Sequence, residues 1–146
     1  MSWLSQCLSS HELCALSTNP CPPLPSRVLD VEAEESHNRL RLCSGDGRYG
    51  SYVTLSHVWG QAQVITTTLA TLKARLTTIE IRDLSRTFQD AVVVARNMKV
   101  QYLWIDSLCI IQDSFDDWAK ESSKMGEYYM NSQFNISAVS ASDSSV

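Results

Sequence analysis

Hydrophobic and polar positions change rhythm several times along the chain, most sharply between residues 102 and 129. Tyr102, Leu103, Trp104 and Ile105 are apolar without alternation. That run predicts a strand covered on both faces, as in a parallel α/β sheet. Asp106 ends it, and Ser107 to Asp113 read as a short crossing loop. Ser114 then caps a helix carrying Asp116 and Asp117 in its first turn, where negative charge favours the dipole. Trp118, Ser122, Met125 and Tyr129 fall on one stripe of that helix, with Glu121 at its border, between solvent and core. Ligands of parallel sheets bind outside the carboxyl ends of the strands. Asp106 is thereby placed at the working edge.

Upstream, Trp3 to Leu16 predict a short helix, and Pro20, Pro22, Pro23 and Pro25 then rule out regular structure. Arg27 to Val31 and Leu40 to Cys43 are short strands, and Gly45-Asp46-Gly47 is a turn signal. Tyr52 to His57 alternate polar and apolar residues before Trp59-Gly60. Residues 66–76 have helical tendency, with Leu69, Leu72 and Leu76 on one face. A clearer helix begins near Thr87, whose hydroxyl and Asp90 form a capping-box-like pair, and Phe88, Ala91, Val92 and Ala95 make its buried stripe. The helix leads into the Tyr102 strand, a step of parallel-sheet type. Asn135 to Ala141 read as one more strand, and the chain ends five residues later at Val146, which suggests a C-terminally incomplete domain.

The 146 residues suffice for one domain with a real core. At 44% hydrophobic and 19% charged the composition is globular, and a net charge of −4 without a Lys/Arg cluster argues against nucleic acid as partner. No apolar run is long enough for a membrane span, and the N-terminus lacks the regions of a secretory signal. Cys7, Cys14, Cys21, Cys43 and Cys109 are odd in number and unevenly placed, which reads as a reduced, cytoplasmic protein rather than a disulfide scaffold. Cys7, His11 and Cys14 share a helical face with Cys21 as a conceivable fourth ligand, yet close Cys pairs are missing, and the reading is packing with no metal. Gly45, Gly47 and Gly50 form no phosphate loop, and Ser56 and Ser107 have no Ser–His–Asp order around them.

Tyr52-Val53-Thr54-Leu55-Ser56-His57-Val58-Trp59-Gly60, then Thr87-Phe88-Gln89-Asp90-Ala91, then Tyr102 to Asp113, and finally Asp117-Trp118 with Glu121, Ser122, Met125 and Tyr129, and Asn135-Ile136-Ser137-Ala138, closely resemble the fungal heterokaryon incompatibility (HET) domain. The resemblance divides the chain into a lead-in of residues 1–26, short strands or a hairpin over 27–48, and the domain over 49–146. It implies a fungal protein of self/non-self recognition, in which fusion of incompatible cells triggers programmed cell death. The family is in turn remotely similar to the Toll/interleukin-1 receptor (TIR) fold, some members of which hydrolyse NAD with a helix glutamate. The expected architecture is therefore α/β, a mainly parallel, flavodoxin- or TIR-like sheet with flanking helices, an N-terminal helix and a β-hairpin.

The resemblance implies Glu121 and Asp106 as catalytic candidates, with Ser56, His57, Trp59, Gly60, Ser107 and Trp118 framing the substrate. No cofactor is required, and NAD would be the substrate. Two roles are open to Glu121: stabilising oxocarbenium character on a ribose, or pairing with Lys120 or Lys124 as an ordinary helix residue. Asp106 is equally open, to holding a ribose hydroxyl or to accepting N–H groups of the loop behind it. Trp59 either stacks on a ligand ring or packs its loop, and His57 acts as acid/base or satisfies a hydrogen bond. The alternative function is a non-enzymatic scaffold working by homotypic self-association or with another death-signalling protein.

Overall fold

The structure is a computed structural model that describes residues 3–12, 20–35, 37–59 and 64–138. Its elements in chain order are α1 (Trp3–Ser10), β1 (Arg27–Asp30), β2 (Arg39–Ser44), β3 (Tyr52–Ser56), α2 (Leu72–Thr77), β4 (Ile79–Glu80), α3 (Arg86–Asn97), β5 (Tyr102–Trp104), α4 (Asp106–Cys109), α5 (Phe115–Asn131) and β6 (Asn135–Ser137). The six strands form one mixed sheet in the order β4-β2-β1-β5-β3-β6.

The α/β class expected from the sequence holds; a mainly parallel sheet does not. β5 and β6 flank β3 in parallel, whereas β1 runs antiparallel to both β2 and β5, and β2 antiparallel to β4. The physical reason lies in the connections. β1 and β2 are joined by too few residues for a crossover and form a hairpin, and β1 then docks beside β5 with Leu29 opposite Leu103. β3 and β5 are separated by α2 and α3, which give the long connection that parallel strands need.

The core sits on both faces of the β1-β5-β3 centre. Val53, Leu55, Leu103 and Ile105 point to one face by strand alternation and are fully buried. Phe88, Ala91, Val92 and Ala95 of α3 supply the expected buried stripe. The opposite face carries Tyr52, Thr54 and Trp104, covered by α5, with the Trp104 ring 5.5 Å from Tyr128 and 5.6 Å from Tyr129. β3 was expected to alternate, yet Tyr52 to Leu55 are all buried. Thr54 tolerates this because its hydroxyl reaches Asn135 Oδ1 at 3.0 Å and Ser132 Oγ at 3.2 Å.

Three local expectations shift. The cap of α3 is Ser85, which accepts from the Phe88 N–H, while Thr87 is buried in the first turn. The helix expected over 66–76 is confined to Leu72–Thr77, because Thr67 forms a bridge to Ile111 and its hydroxyl donates to the Leu108 carbonyl at 2.6 Å. On α5 the buried line runs through Glu121 and Tyr128, and Trp118 is half exposed. Asp117, paired with Arg27 of β1, lies on the same side of the helix as Glu121 and Tyr128, and Trp118 falls off that side. Ser114 caps α5 as read, accepting from the Asp117 N–H.

Candidate functional site

Because β3, β5 and β6 are parallel, their carboxyl ends share one edge, and β1 begins there as well. β5 ends at Trp104, Ile105 has extended backbone, and Asp106 opens the single turn of α4. Its side chain is held from three directions. One carboxylate oxygen meets His57 Nε2 at 2.8 Å and accepts the Ser107 N–H at 2.7 Å. The other accepts the Trp59 indole N–H at 3.2 Å. The His57 side chain is 1% exposed and that of Asp106 21%, so the imidazole is the inner and the carboxylate the outer member of the pair.

The elements explain why these groups meet. His57 follows β3, next to β5, and its ring packs edge-on against Phe88 at 5.0 Å and tilted on Trp59 at 5.8 Å. Phe88 therefore fixes the plane in which the imidazole addresses Asp106. Behind the carboxylate, the Gln112 side-chain amide donates to the Asp106 carbonyl at 3.1 Å and to that of Ile110 at 2.9 Å. The Thr67 N–H donates to the Ser107 carbonyl at 3.0 Å, tying the turn to the segment after β3. Ser56 donates to Asn135 Oδ1 at 3.2 Å. Tyr129 sits close enough that burial, first, and the Asp106 charge push its phenol upward, while a hydrogen bond with Ser56 acts the other way.

Residues 52–146, which include every member of this cluster, match the model of the heterokaryon incompatibility protein (HET) family. The chain belongs to the HET family. No curated protein and no solved structure matches it.

Of the residues singled out in the sequence, the edge of this HET chain brings His57 and Trp59 onto Asp106, with the Ser107 N–H as the third group on its carboxylate, and places Ser56 nearby against Asn135. The Ser107 hydroxyl is fully buried without a hydrogen-bond partner and does not line the edge. Gly60 lies outside the described residues. Trp118 stands half exposed on α5 and has no bond to the cluster. Phe88, Gln112, Tyr129 and Asn135 were missed as site residues; Gln112 and Asn135 stood inside the HET motifs, and Phe88 and Tyr129 on helical stripes.

Glu121 departs from its expected half-exposed border. It is completely buried, with Oε2 accepting the Tyr128 O–H at 2.7 Å and Oε1 lacking a hydrogen-bond partner, 4.0 Å from the Lys120 ammonium. Tyr128 also meets Ser26 Oγ at 3.2 Å, just before β1. Burial is the first cause that pushes its phenol up to about 12. Glu121 belongs to an anchor of α5 on the start of β1. Lys124, the other proposed partner, has no ion pair with it.

Arg27 completes the support of the edge. Its Nε donates to the Cys109 carbonyl at 2.8 Å, closing the far end of α4, and its Nη2 meets both Asp117 oxygens at 2.5 Å. Asp117 also accepts the Ile111 N–H at 2.8 Å. Asp106 therefore stands on a turn braced at both ends. Among the described residues no three His, Cys, Asp or Glu side chains converge as metal ligands, and Cys14 falls outside them. Cys7 Sγ lies 3.6 Å from His11 Nδ1. Among the described residues no helix is long and apolar enough to cross a membrane.

Proposed function

We propose that this HET chain is a cytoplasmic effector of fungal self/non-self recognition, promoting programmed cell death by binding NAD or a related nucleotide at the carboxyl edge and cleaving its glycosidic bond. The observation that carries the reading is Asp106: a carboxylate at the end of a central strand, oriented by His57 and Trp59 yet still open to solvent. Asp106 takes the ribose hydroxyls and stabilises the cationic sugar as nicotinamide leaves with the electron pair of the C–N bond. Water adds at the vacated carbon as its proton passes to Asp106. His57 fixes the carboxylate by the logic that gives a base its orienting partner. Trp59, 43% exposed, offers a ring face for stacking.

In this reading Glu121 supports rather than reacts, since a fully buried carboxylate bonded to Tyr128 presents nothing to a sugar. The TIR-like chemistry is assigned to the same edge with a different carboxylate. The test is expression in a fungal host: Asp106→Asn is expected to abolish toxicity at equal protein level. Toxicity that survives the change overturns the enzymatic reading.

A second reading, assembly of copies of this chain through α5, is favoured by Phe115 at 79%, Trp118 at 50% and Met130 at 82% exposure. Exposed aromatics on one helix suit homotypic contact. Trp118→Ser with Phe115→Ser is expected to abolish both assembly and toxicity if this reading holds. Toxicity retained by a monomeric double variant removes it.

A further inference from the structure

A cleft of about 580 Å³ opens between the 64–71 segment, α2 and the start of α3, lined by Val64, Ile65, Arg75, Asp83, Leu84 and Arg86 among others. Sites for small molecules span roughly 300–1,000 Å³. The lining divides by chemistry. Val64, Ile65 and Leu84 make an apolar wall, Asp83 supplies a carboxylate, and two guanidinium groups supply positive charge. Arg75 is the unusual member. Its Nε is enclosed by protein and has no hydrogen-bond partner, and its Nη2 makes only a 3.5 Å contact with the Thr66 carbonyl. Folded proteins seldom enclose a charged donor without an acceptor. Arg86 is committed only to a solvent-exposed pair with Asp90 at 3.4 Å, an interaction weak enough to be exchanged.

We propose that this cleft binds a nucleoside diphosphate group. Arg75 and Arg86 take the phosphate oxygens, Asp83 the ribose hydroxyls, and the apolar wall the base. Arginine suits phosphate because its planar fork presents paired donors. The inference rests on the nucleotide reading of the Asp106 edge and deepens it, because buried residues next to the cleft lining in sequence also contact the Asp106 cluster. Phe88, in the first turn of α3, packs on His57. Thr67, between lining residues Thr66 and Thr68, is bonded to the carbonyls of Ser107 and Leu108. In this proposal one ligand spans both, with its diphosphate in the cleft and its reacting ribose at Asp106.

The experiment is calorimetric titration of ADP and of inorganic pyrophosphate into the full chain, its Arg75→Gln and its Arg86→Glu variants, with thermal melts of each. ADP is expected to bind more tightly than pyrophosphate, and R75Q to weaken both by about tenfold or more. R86E, on an exposed side chain outside the core, is expected to weaken ADP by about threefold, and it decides the matter should R75Q fail to fold. No ADP binding by the folded wild type overturns the proposal, as does full affinity in the folded variants. ADP binding that depends on these arginines in a protein that never consumes NAD keeps the cleft and removes the Asp106 chemistry. NAD consumption indifferent to both arginines does the reverse.

Discussion

Replacing Arg27 by methionine tests whether the turn carrying Asp106 is braced as described. The change keeps most of the aliphatic stem and removes three interactions: both bonds to Asp117 and the one to the Cys109 carbonyl. Losing one partner of a buried pair costs roughly 3–5 kcal/mol. Here the two side chains keep 16% and 13% exposure, so solvent screens part of the loss, and Asp117 retains the Ile111 N–H. The expected cost is therefore about 2–3 kcal/mol, or a fall in melting temperature of about 5–9 °C for a chain of this size. Asp117→Asn keeps an acceptor for Ile111 and is expected to cost about 2 kcal/mol. In urea melts the double variant is expected to be less destabilised than the sum by about 1–2 kcal/mol, the signature of a direct pair. Strict additivity, or a loss under about 1 kcal/mol for R27M, refutes the brace.

Further outcomes follow from single positions. A Cβ at Gly45 would stand 2.0 Å from the Pro25 carbonyl oxygen and 2.8 Å from Leu24 Cβ, so Gly45→Ala is expected to abolish a cooperative melt; a near-native melt contradicts this packing. Burial pushes the Cys109 thiol up to about 12, and it stays protonated at pH 8. Iodoacetamide is expected to label exposed Cys21 in the folded protein and Cys109 only after denaturation, which peptide mass spectrometry reads directly. Tyr128 is pushed up to about 12 and Tyr52 higher still, burial leading in both. A raised phenol contributes its stability in full below the unfolded value of about 10 and loses it as pH climbs toward the folded one. Melting temperature is thus expected to start falling above about pH 10, and phenolate absorbance from Tyr128 appearing before unfolding would be the contrary result.

Local signals in the sequence were reliable where one segment carried the information. The unbroken apolar run to Ile105, the Ser114 cap and the α3 stripe all appear as read, because strand burial, capping and helical periodicity are decided within a few residues. The direction of β1 was not legible, since nothing in Arg27 to Asp30 records that the strand lies beside β5, more than seventy residues away. Glu121 shows the same limit. Its burial is set by Tyr128, seven residues on along the same helix, and by Ser26, 102 residues from Tyr128. The inward position of Asp117 on α5 likewise depends on a distant partner, Arg27. At the site, Asp106, His57 and Trp59 were legible as strand-end residues, but their convergence on one carboxylate was not. His57 and Asp106 are 49 positions apart, and only the parallel pairing of β3 with β5 makes them neighbours.

In the proposed chemistry Asp106 is the working carboxylate and Glu121 a buried support. The direct measurement is NAD consumption by purified wild type, Asp106→Asn and Glu121→Gln, each checked for an unchanged melt. Wild type is expected to release nicotinamide, D106N to lose about a hundredfold or more in rate, and E121Q, which still offers Tyr128 an oxygen acceptor, to keep its turnover. A folded D106N that turns over like wild type, or a folded wild type that releases no nicotinamide, contradicts the account.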